Sequence, residues 1–309
     1  MHTAPMRRSP LFVALLSSTL LLAGCRSLPP TAEAAPPADA PVPASAAAPA
    51  GVPADDNLNA VLWIQRSAEY RAVAETVYRA ATARLDAALR DPDWDALVPE
   101  ERANPARGLP PAIIVDVDET VLDNSPYQAR LVRDGDEYNE VTWDTWVQEK
   151  KAAPVPGVVE FARAAQARGV TILYITNRAE HLGGPTLENL RAVGLPVKDE
   201  SVFLGLGTFV PDCEQEGSEK LCRRQFAGRS YRILMQFGDQ LGDFAQILAN
   251  TPEARAELQA RHRAWFGERW WMLPNPTYGS WEPAVFDNDW RQPREDRRKR
   301  KREALDTAR

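Results

Sequence analysis

Cysteine and histidine are scarce in this sequence, with three of each among 309 residues. The histidines (His2, His181 and His262) are far apart, and no zinc-site spacing occurs. The glycine-rich stretch 205–210 lacks the third glycine of a dinucleotide fingerprint. With 37 Lys and Arg against 43 Asp and Glu, the net charge is −6, so the sequence lacks the basic character of a nucleic-acid binder. Zinc, dinucleotides and nucleic acid polymers are therefore not expected as ligands.

The first 24 residues have the pattern of an export signal. Arg7 and Arg8 precede an apolar stretch at 11–23 that is too short to span a bilayer comfortably. The stretch ends in Leu-Ala-Gly before Cys25, which resembles the lipobox of bacterial lipoproteins. This resemblance implies lipidation at Cys25 and anchoring at the outer membrane, facing the periplasm or the cell surface. An ordinary signal peptide with a chance cysteine is the alternative.

Composition divides the remaining chain into three parts. Residues 25–55 are rich in proline and alanine, which favours an extended tether. Residues 56–290 form the expected folded domain, with its core at about 109–275 and a smaller helical region from 57–108 and about 126–156. Residues 291–309 contain the basic run 297–302 and are interpreted as a charged tail or helix.

Hydrophobic periodicity predicts an α/β fold. A long helix is expected over 57–90, where Val73, Val77, Ala81, Leu85 and Leu89 recur at four-residue steps. Short apolar runs at 112–117, 170–175, 201–204 and 232–237 are expected to be buried strands. Helices are expected between them at 157–167, 186–193 and 218–227, and after them at 240–249. Strands that alternate with helices favour a mainly parallel sheet.

Acidic and polar side chains follow three of these strands. Asp116 lies at the end of the first and Asp118 directly after it, Thr176 and Asn177 end the second, and Asp239 follows the fourth. In open α/β sheets ligands bind at the carboxyl ends of the strands. Closely spaced carboxylates repel one another unless a cation lies between them, and oxygen ligands suit Mg²⁺. The sequence therefore predicts a magnesium site at this edge of the sheet.

The order of these groups resembles the four motifs of the haloacid dehalogenase superfamily. The matching residues are Asp-x-Asp-x-Thr from Asp116, Thr-Asn-Arg from Thr176, Lys220, and Gly-Asp-x-x-x-Asp ending at Asp243. The longer strings DVDETVLDNSPYQ at 116–128 and NPTYGSWEPAV at 275–285 resemble more narrowly the class C acid phosphatases, bacterial outer-membrane lipoproteins that act as nucleotidases. The resemblance implies a Rossmann-like parallel sheet with a smaller helical cap region.

The same resemblance implies a role for each matching residue. Asp116 would be the nucleophile that forms an aspartyl-phosphate, and Asp118 the general acid and base. Thr176, Asn177 and Lys220 would hold the phosphate. Mg²⁺ would be bound by Asp116, the backbone carbonyl of Asp118 and Asp239, with Asp243 supporting them.

The expected substrates are small phosphorylated molecules, most of all nucleoside 5′-monophosphates. In the family that the chain resembles, two aromatic side chains enclose the base, and Trp143 and Tyr278 are the corresponding candidates; plain core packing is the alternative for both. A different functional class also stays open, namely a lipoprotein that binds small aromatic ligands or haem and uses the acids for a structural ion. The sequence does not indicate an oligomeric state.

Two cysteines remain after Cys25. Cys213 and Cys222 would lie outside the cytoplasm, where disulfides persist. A disulfide between them is expected, and two free thiols are the alternative.

Overall fold

The computed structural model describes residues 55–308. The predicted signal peptide, Cys25 and nearly all of the predicted tether lie outside these residues. No helix within 55–308 has the length and apolar character needed to cross a membrane.

A five-stranded parallel sheet forms the core, and a two-stranded antiparallel pair lies outside it. In chain order the strands are β1 (Pro111–Val115), β2 (Leu122–Asp123), β3 (Ala153–Pro154), β4 (Thr171–Ala179), β5 (Phe203–Leu206), β6 (Arg232–Gly238) and β7 (Trp270–Met272). The order across the main sheet is β5-β4-β1-β6-β7, and β2 pairs with β3. The central strand β1 is almost wholly apolar and buried, as expected for a strand covered on both faces. The α/β fold with a parallel sheet predicted from the sequence is confirmed.

Helices connect the strands and cover the sheet. They are α1 (Leu58–Arg66), α2 (Ala68–Arg90), α3 (Ser125–Asp134), α4 (Glu140–Glu149), α5 (Val158–Gln166), α6 (Gly183–Ala192), α7 (Leu221–Ser230), α8 (Pro252–Arg261) and α9 (Arg294–Glu303). Tyr78 of α2 stacks on Phe237 of β6 at 5.4 Å and contacts Phe161 of α5 at 5.6 Å, measured between ring centroids. These contacts place α2 and α5 on the sheet.

The single helix predicted over 57–90 is two helices. Ser67 has an extended backbone, and its hydroxyl accepts a hydrogen bond from the Tyr70 N–H at 3.0 Å. Serine therefore caps a new helix here instead of continuing the first one.

The predicted apolar stripe is also partly wrong. Val73 is 43% exposed, whereas Tyr70, Ala74 and Tyr78 are buried. The two tyrosines reach further into the core than valine and rotate the buried face by one position. Ala81 and Leu85 belong to the buried face, as predicted.

The helix predicted over 240–249 is absent from the described chain. Only one 3₁₀ turn forms, Leu241–Asp243, and α8 begins later at Pro252. The Asp243 carboxylate accepts from the Gln240 N–H at 2.9 Å and so closes the turn on itself. Leu248 is 88% exposed, so the apolar residues that suggested a helix do not share a buried face.

Candidate active site

Three neighbouring parallel strands bring the predicted groups to one edge of the sheet. Asp116 follows β1 directly, and its N–H donates to the Phe237 carbonyl of β6 at 3.0 Å. Thr176 and Asn177 lie near the end of β4, on the other side of β1. The topology thus gathers side chains that are more than 100 residues apart in the chain.

Asp116, Asp239 and Asp243 form an acidic cluster at this edge. One carboxylate oxygen from each lies within 4.8 Å of the others. Burial raises the pKa of Asp116 to about 7; Lys220 opposes this shift, while Asp243 and Asp118 add to it. Burial, then Asp243 and Asp116, raise the pKa of Asp239 well above its usual value. Crowded, buried carboxylates of this kind fit a hard divalent cation, which would relieve their repulsion.

Lys220 bridges two of these three carboxylates. Its Nζ donates to Asp116 Oδ1 at 2.5 Å and to Asp243 Oδ1 at 2.6 Å, and the residue is only 5% exposed. Burial by itself lowers the pKa of Lys220, but Asp116 and Asp243 outweigh it, so the net shift is upward. Lys220 is therefore a buried ammonium beside the carboxylate predicted to be the nucleophile.

The Asp118 carboxylate lies in a separate polar network. Its Oδ1 accepts from Asn124 Nδ2 at 2.8 Å and from Arg178 Nε at 2.9 Å. Trp146 Nε1 in turn donates to Asn124 Oδ1 at 2.8 Å, and Arg178 also donates to Thr186 Oγ1 at 3.2 Å. Among residues 55–308, no hydrogen-bond partner contacts Asp118 Oδ2. One oxygen of Asp118 is thus held while the other stays available.

Thr176 and Asn177 differ in exposure. Thr176 is buried and its Oγ1 accepts from the Arg178 N–H at 3.1 Å, whereas Asn177 is exposed and its Oδ1 accepts from Arg223 Nη2 at 2.8 Å. The Thr176 hydroxyl keeps its own proton for an acceptor such as a phosphate oxygen.

The two aromatic candidates, Trp143 and Tyr278, are held by different neighbours. The Trp143 ring contacts Tyr127 and Tyr138 at 5.2 and 6.3 Å between centroids, and the Arg178 guanidinium lies 5.4 Å from it. The Tyr278 hydroxyl instead donates to the carboxylate of Glu119. Tyr278 thus contacts the residue after Asp118, and Trp143 adjoins the arginine that donates to Asp118. Their enclosure of a base stays a prediction.

Glu119 explains how Tyr278 is fixed. It is buried, its backbone φ is +56°, and its Oε1 accepts from the Asn124 N–H at 2.8 Å. A left-handed backbone is uncommon for glutamate, and residues in such conformations cluster at active sites and ligand-binding sites.

A disulfide joins Cys213 to Cys222, with a Cα–Cα distance of 5.6 Å. The bridge encloses the segment that leads to Lys220, so it ties a loop to the first turn of α7.

Sequence reasoning missed four residues of this site: Glu119, Asn124, Arg178 and Arg223. Three of them lie inside the quoted motifs, and their partners come from distant segments. The available signal was charge: Arg178 comes shortly after the apolar run 170–175, and a charged residue in that position needs a partner.

Comparisons with known proteins give relatives of one kind. A profile of the family described as HAD superfamily, subfamily IIIB (acid phosphatase), matches residues 38–281. Two curated plant proteins, a stem 31 kDa glycoprotein of Glycine max and acid phosphatase 1 of Solanum lycopersicum, are 26% and 25% identical over 53% of this chain. These alignments span 58% and 57% of the two relatives, so the chain matches little more than half of their length.

Solved structures match over a larger part. The class C acid phosphatase from Bacillus anthracis is 31% identical with a TM-score of 0.70, over 81% of this chain and 97% of that chain. The same enzyme with tungstate bound is 33% identical with a TM-score of 0.69, over the same shares.

Proposed function

This chain belongs to the subfamily IIIB acid phosphatases of the HAD superfamily, and on that premise we propose that it hydrolyses phosphate monoesters through an aspartyl-phosphate. The observation that supports this most is the contact of Lys220 Nζ with Asp116 Oδ1 at 2.5 Å, two residues from Asp118. This arrangement supports the assignment of Asp116 as the nucleophile, Lys220 as the phosphate-binding cation and Asp118 as the proton donor.

In the first step an Asp116 carboxylate oxygen attacks phosphorus in line. The new O–P bond forms while the bond to the ester oxygen breaks, and Asp118 gives its proton to that leaving oxygen. Lys220 and Thr176 donate to the phosphoryl oxygens, whose charge they stabilise.

In the second step water attacks phosphorus on the aspartyl-phosphate. Asp118, now a carboxylate, takes the water proton, and the bond between phosphorus and Asp116 breaks to release inorganic phosphate. Because Asn124 and Arg178 hold Asp118 Oδ1, we assign the proton transfers to Oδ2.

We propose Mg²⁺ as the divalent ion of the acidic cluster. Asp116, Asp239 and Asp243, with the Asp118 backbone carbonyl, would hold it, and its charge would offset the repulsion between carboxylate and phosphate. In its absence, Lys220 is the cation that balances Asp116 and Asp243.

We further propose nucleoside 5′-monophosphates as the substrates, with Trp143 and Tyr278 on the base. Tyr278 contacts Glu119, next to Asp118, and Trp143 adjoins Arg178, which donates to Asp118; these contacts support the assignment. Aromatic stacking tolerates any base, so the proposal includes a broad range of bases.

The test is phosphate release from nucleoside 5′-monophosphates by the soluble part of the chain from residue 55. We expect turnover in the presence of Mg²⁺. A chelator should abolish this turnover, and an excess of Mg²⁺ should restore it. Folded protein that releases no phosphate from any monoester would contradict the proposal and favour a binding module. Turnover that the chelator leaves unchanged would contradict the metal assignment only.

Export and a lipid anchor at Cys25 form a separate proposal. The Cys213–Cys222 disulfide supports it, because such bridges persist in oxidising compartments. We expect the full chain in the membrane fraction and Cys25→Ser in the soluble fraction; a soluble wild-type protein would contradict the anchor.

A further inference from the structure

Two adjacent arginines in the first turn of α7 are fully buried and take no part in the mechanism above. Arg224 pairs with Glu101, with both N–O distances at 2.7 Å, and donates to the Gly242 carbonyl at 2.7 Å. Arg223 has no carboxylate within salt-bridge distance among the described residues, although it is equally buried. Burying a cation without a close anion is costly, so Arg223 calls for an explanation.

Arg223 joins two segments that carry phosphate-binding residues. Its Nη1 donates to the Thr176 carbonyl, and its Nη2 donates to Asn177 Oδ1 at 2.8 Å, both near the end of β4. The same Nη2 lies 3.2 Å from the Ser218 carbonyl and 3.0 Å from the Glu219 carbonyl. Those two carbonyls immediately precede Lys220.

Packing alone does not account for this side chain. An apolar residue of similar length would fill the space without the cost of desolvating a charge. Burial and the neighbouring Arg224 lower the pKa of Arg223 to about 10, and Asp116 and Asp243 oppose that shift, so the group stays cationic at neutral pH. The planar guanidinium carries donors on separate nitrogens in a fixed geometry, so Nη1 and Nη2 reach acceptors on both segments, whereas an ammonium group has a single nitrogen.

The disulfide cannot replace these bonds. It fixes Cys213 to Cys222, but the carbonyls of residues 218 and 219 lie between those positions and take their bonds from Arg223. Among residues 55–308, the Lys220 ammonium group donates to Asp116 and Asp243 and to no group of β4, so its own hydrogen bonds do not set its distance from Thr176.

We propose that Arg223 is a positioning residue that holds the segment before Lys220 against the end of β4. It thereby fixes the spacing between Lys220 and the Thr176–Asn177 pair, the groups that receive the phosphoryl oxygens. The proposal rests on the phosphatase function proposed above. Since an error of about 1 Å in such groups can cost about 100-fold in rate, the spacing matters for catalysis.

The test compares Arg223→Met, which has similar length and no donor, with Arg223→Lys, which keeps the charge but has one nitrogen. Arg163→Met is the control, because Arg163 is exposed on α5 and its Nε donates to one distant carbonyl, that of Gly194. For each variant we would measure the inhibition constant of inorganic phosphate, KM and kcat for a nucleoside 5′-monophosphate, circular dichroism and thermal unfolding.

We expect Arg223→Met to raise both the phosphate inhibition constant and KM by about tenfold or more. Arg223→Lys should fall between it and the wild type, and Arg163→Met should match the wild type. A purely structural role would lower the melting temperature and the active fraction, but it would leave the inhibition constant and KM unchanged.

Values within about twofold of the wild type in folded Arg223→Met would overturn the proposal, whatever its melting temperature. If that variant does not fold, the same criterion applies to Arg223→Lys. A wild-type protein that neither hydrolyses the ester nor binds phosphate would instead reject the phosphatase function.

Discussion

The two carboxylate oxygens of Asp118 have different surroundings, and this difference supports the proposed role of Asp118 as general acid and base. Arg178 and Asn124 contact Oδ1 only. An amide in place of the carboxylate can keep one such acceptor while it loses the ability to transfer a proton. Asp118→Asn is therefore a substitution that removes chemistry with little change in shape.

For Asp118→Asn we expect a loss of about 10²- to 10⁴-fold in kcat on a nucleotide. With 4-nitrophenyl phosphate, whose leaving group needs no proton, the first step should stay fast while the second, which needs a base, becomes slow. Rapid-mixing kinetics should show a burst of nitrophenol close to the enzyme concentration. A uniform loss on both substrates without a burst would contradict the dual role of Asp118.

The prediction of nucleotide substrates depends on two further residues, Trp143 and Tyr278. Stacking contributes about 1–3 kcal/mol per base, so Trp143→Ala should raise KM for a nucleoside 5′-monophosphate about 5- to 150-fold. KM for glycerol phosphate, which has no ring, should change little. An equal rise on both substrates would show that Trp143 only supports the fold.

Tyr278→Phe separates the ring from its hydroxyl. The ring would remain, while the bond from the hydroxyl to the Glu119 carboxylate would be lost. We expect a smaller rise in KM than for Tyr278→Ala, and steady-state kinetics with both variants would check it. A Phe variant as impaired as the Ala variant would assign the effect to the hydroxyl instead of stacking.

At the scale of elements, the backbone at the end of β6 lies very close to the Asp243 side chain, and Gly238 leaves the room for it. A Cβ added at Gly238 would lie 2.3 Å from both the Cβ and Oδ2 of Asp243. Gly238→Ala should therefore displace Asp243 from Lys220 and from the proposed ion.

We expect Gly238→Ala to lower kcat about 100-fold and to weaken the stabilisation by Mg²⁺. Gly184→Ala is the matched control, because a Cβ there meets nothing within 4 Å. Titrations of activity against Mg²⁺ would check both variants. Wild-type dependence on Mg²⁺ in Gly238→Ala would contradict the placement of Asp243 in the ion site.

Elements also show how far the sequence predicts the fold. The runs that became β1, β4 and β6 were recognisable because buried parallel strands are continuously apolar. Strand β7 was not predicted, because three residues carry too little pattern. The break at Ser67 and the missing helix after Gln240 both come from side chains that cap the backbone, which periodicity does not register.

The residues of the site also fall into those that the sequence predicts and those that it does not. Order along the chain and family motifs predicted Asp116, Asp118, Thr176, Lys220 and Asp243. The partners that hold them could not be predicted, since Arg178 reaches Asp118 across 60 residues and Arg223 reaches Thr176 across 47. Only the folded sheet makes such residues neighbours.

At the scale of the whole molecule, the raised pKa values link stability to pH. Asp116, Glu119 and Asp239 all have pKa values above their ordinary ones, chiefly through burial. The folded state without an ion therefore binds more protons than the unfolded state between about pH 4 and 7. Stability without an ion should fall as pH rises through this range.

Mg²⁺ should reverse that loss, because it binds the ionised carboxylates. At 100 times its dissociation constant an ion adds about 2.7 kcal/mol to the free energy of unfolding. We expect Mg²⁺ to raise the melting temperature more at pH 7.5 than at pH 5, as measured by calorimetry. An equal shift at both values, or none, would contradict an ion site built on these acids.

The most direct test of the account is to look for the phosphoryl group on Asp116. The chain would be mixed with a nucleoside 5′-monophosphate and Mg²⁺, quenched in acid within the first turnover and analysed by peptide mass spectrometry. We predict a phosphoryl adduct on Asp116 that is absent, together with turnover, in Asp116→Asn. In Asp118→Asn the adduct should accumulate when 4-nitrophenyl phosphate, whose leaving group needs no proton, replaces the nucleotide. Turnover that persists in Asp116→Asn, or rapid turnover with Asp116 never modified, would contradict the aspartyl-phosphate mechanism.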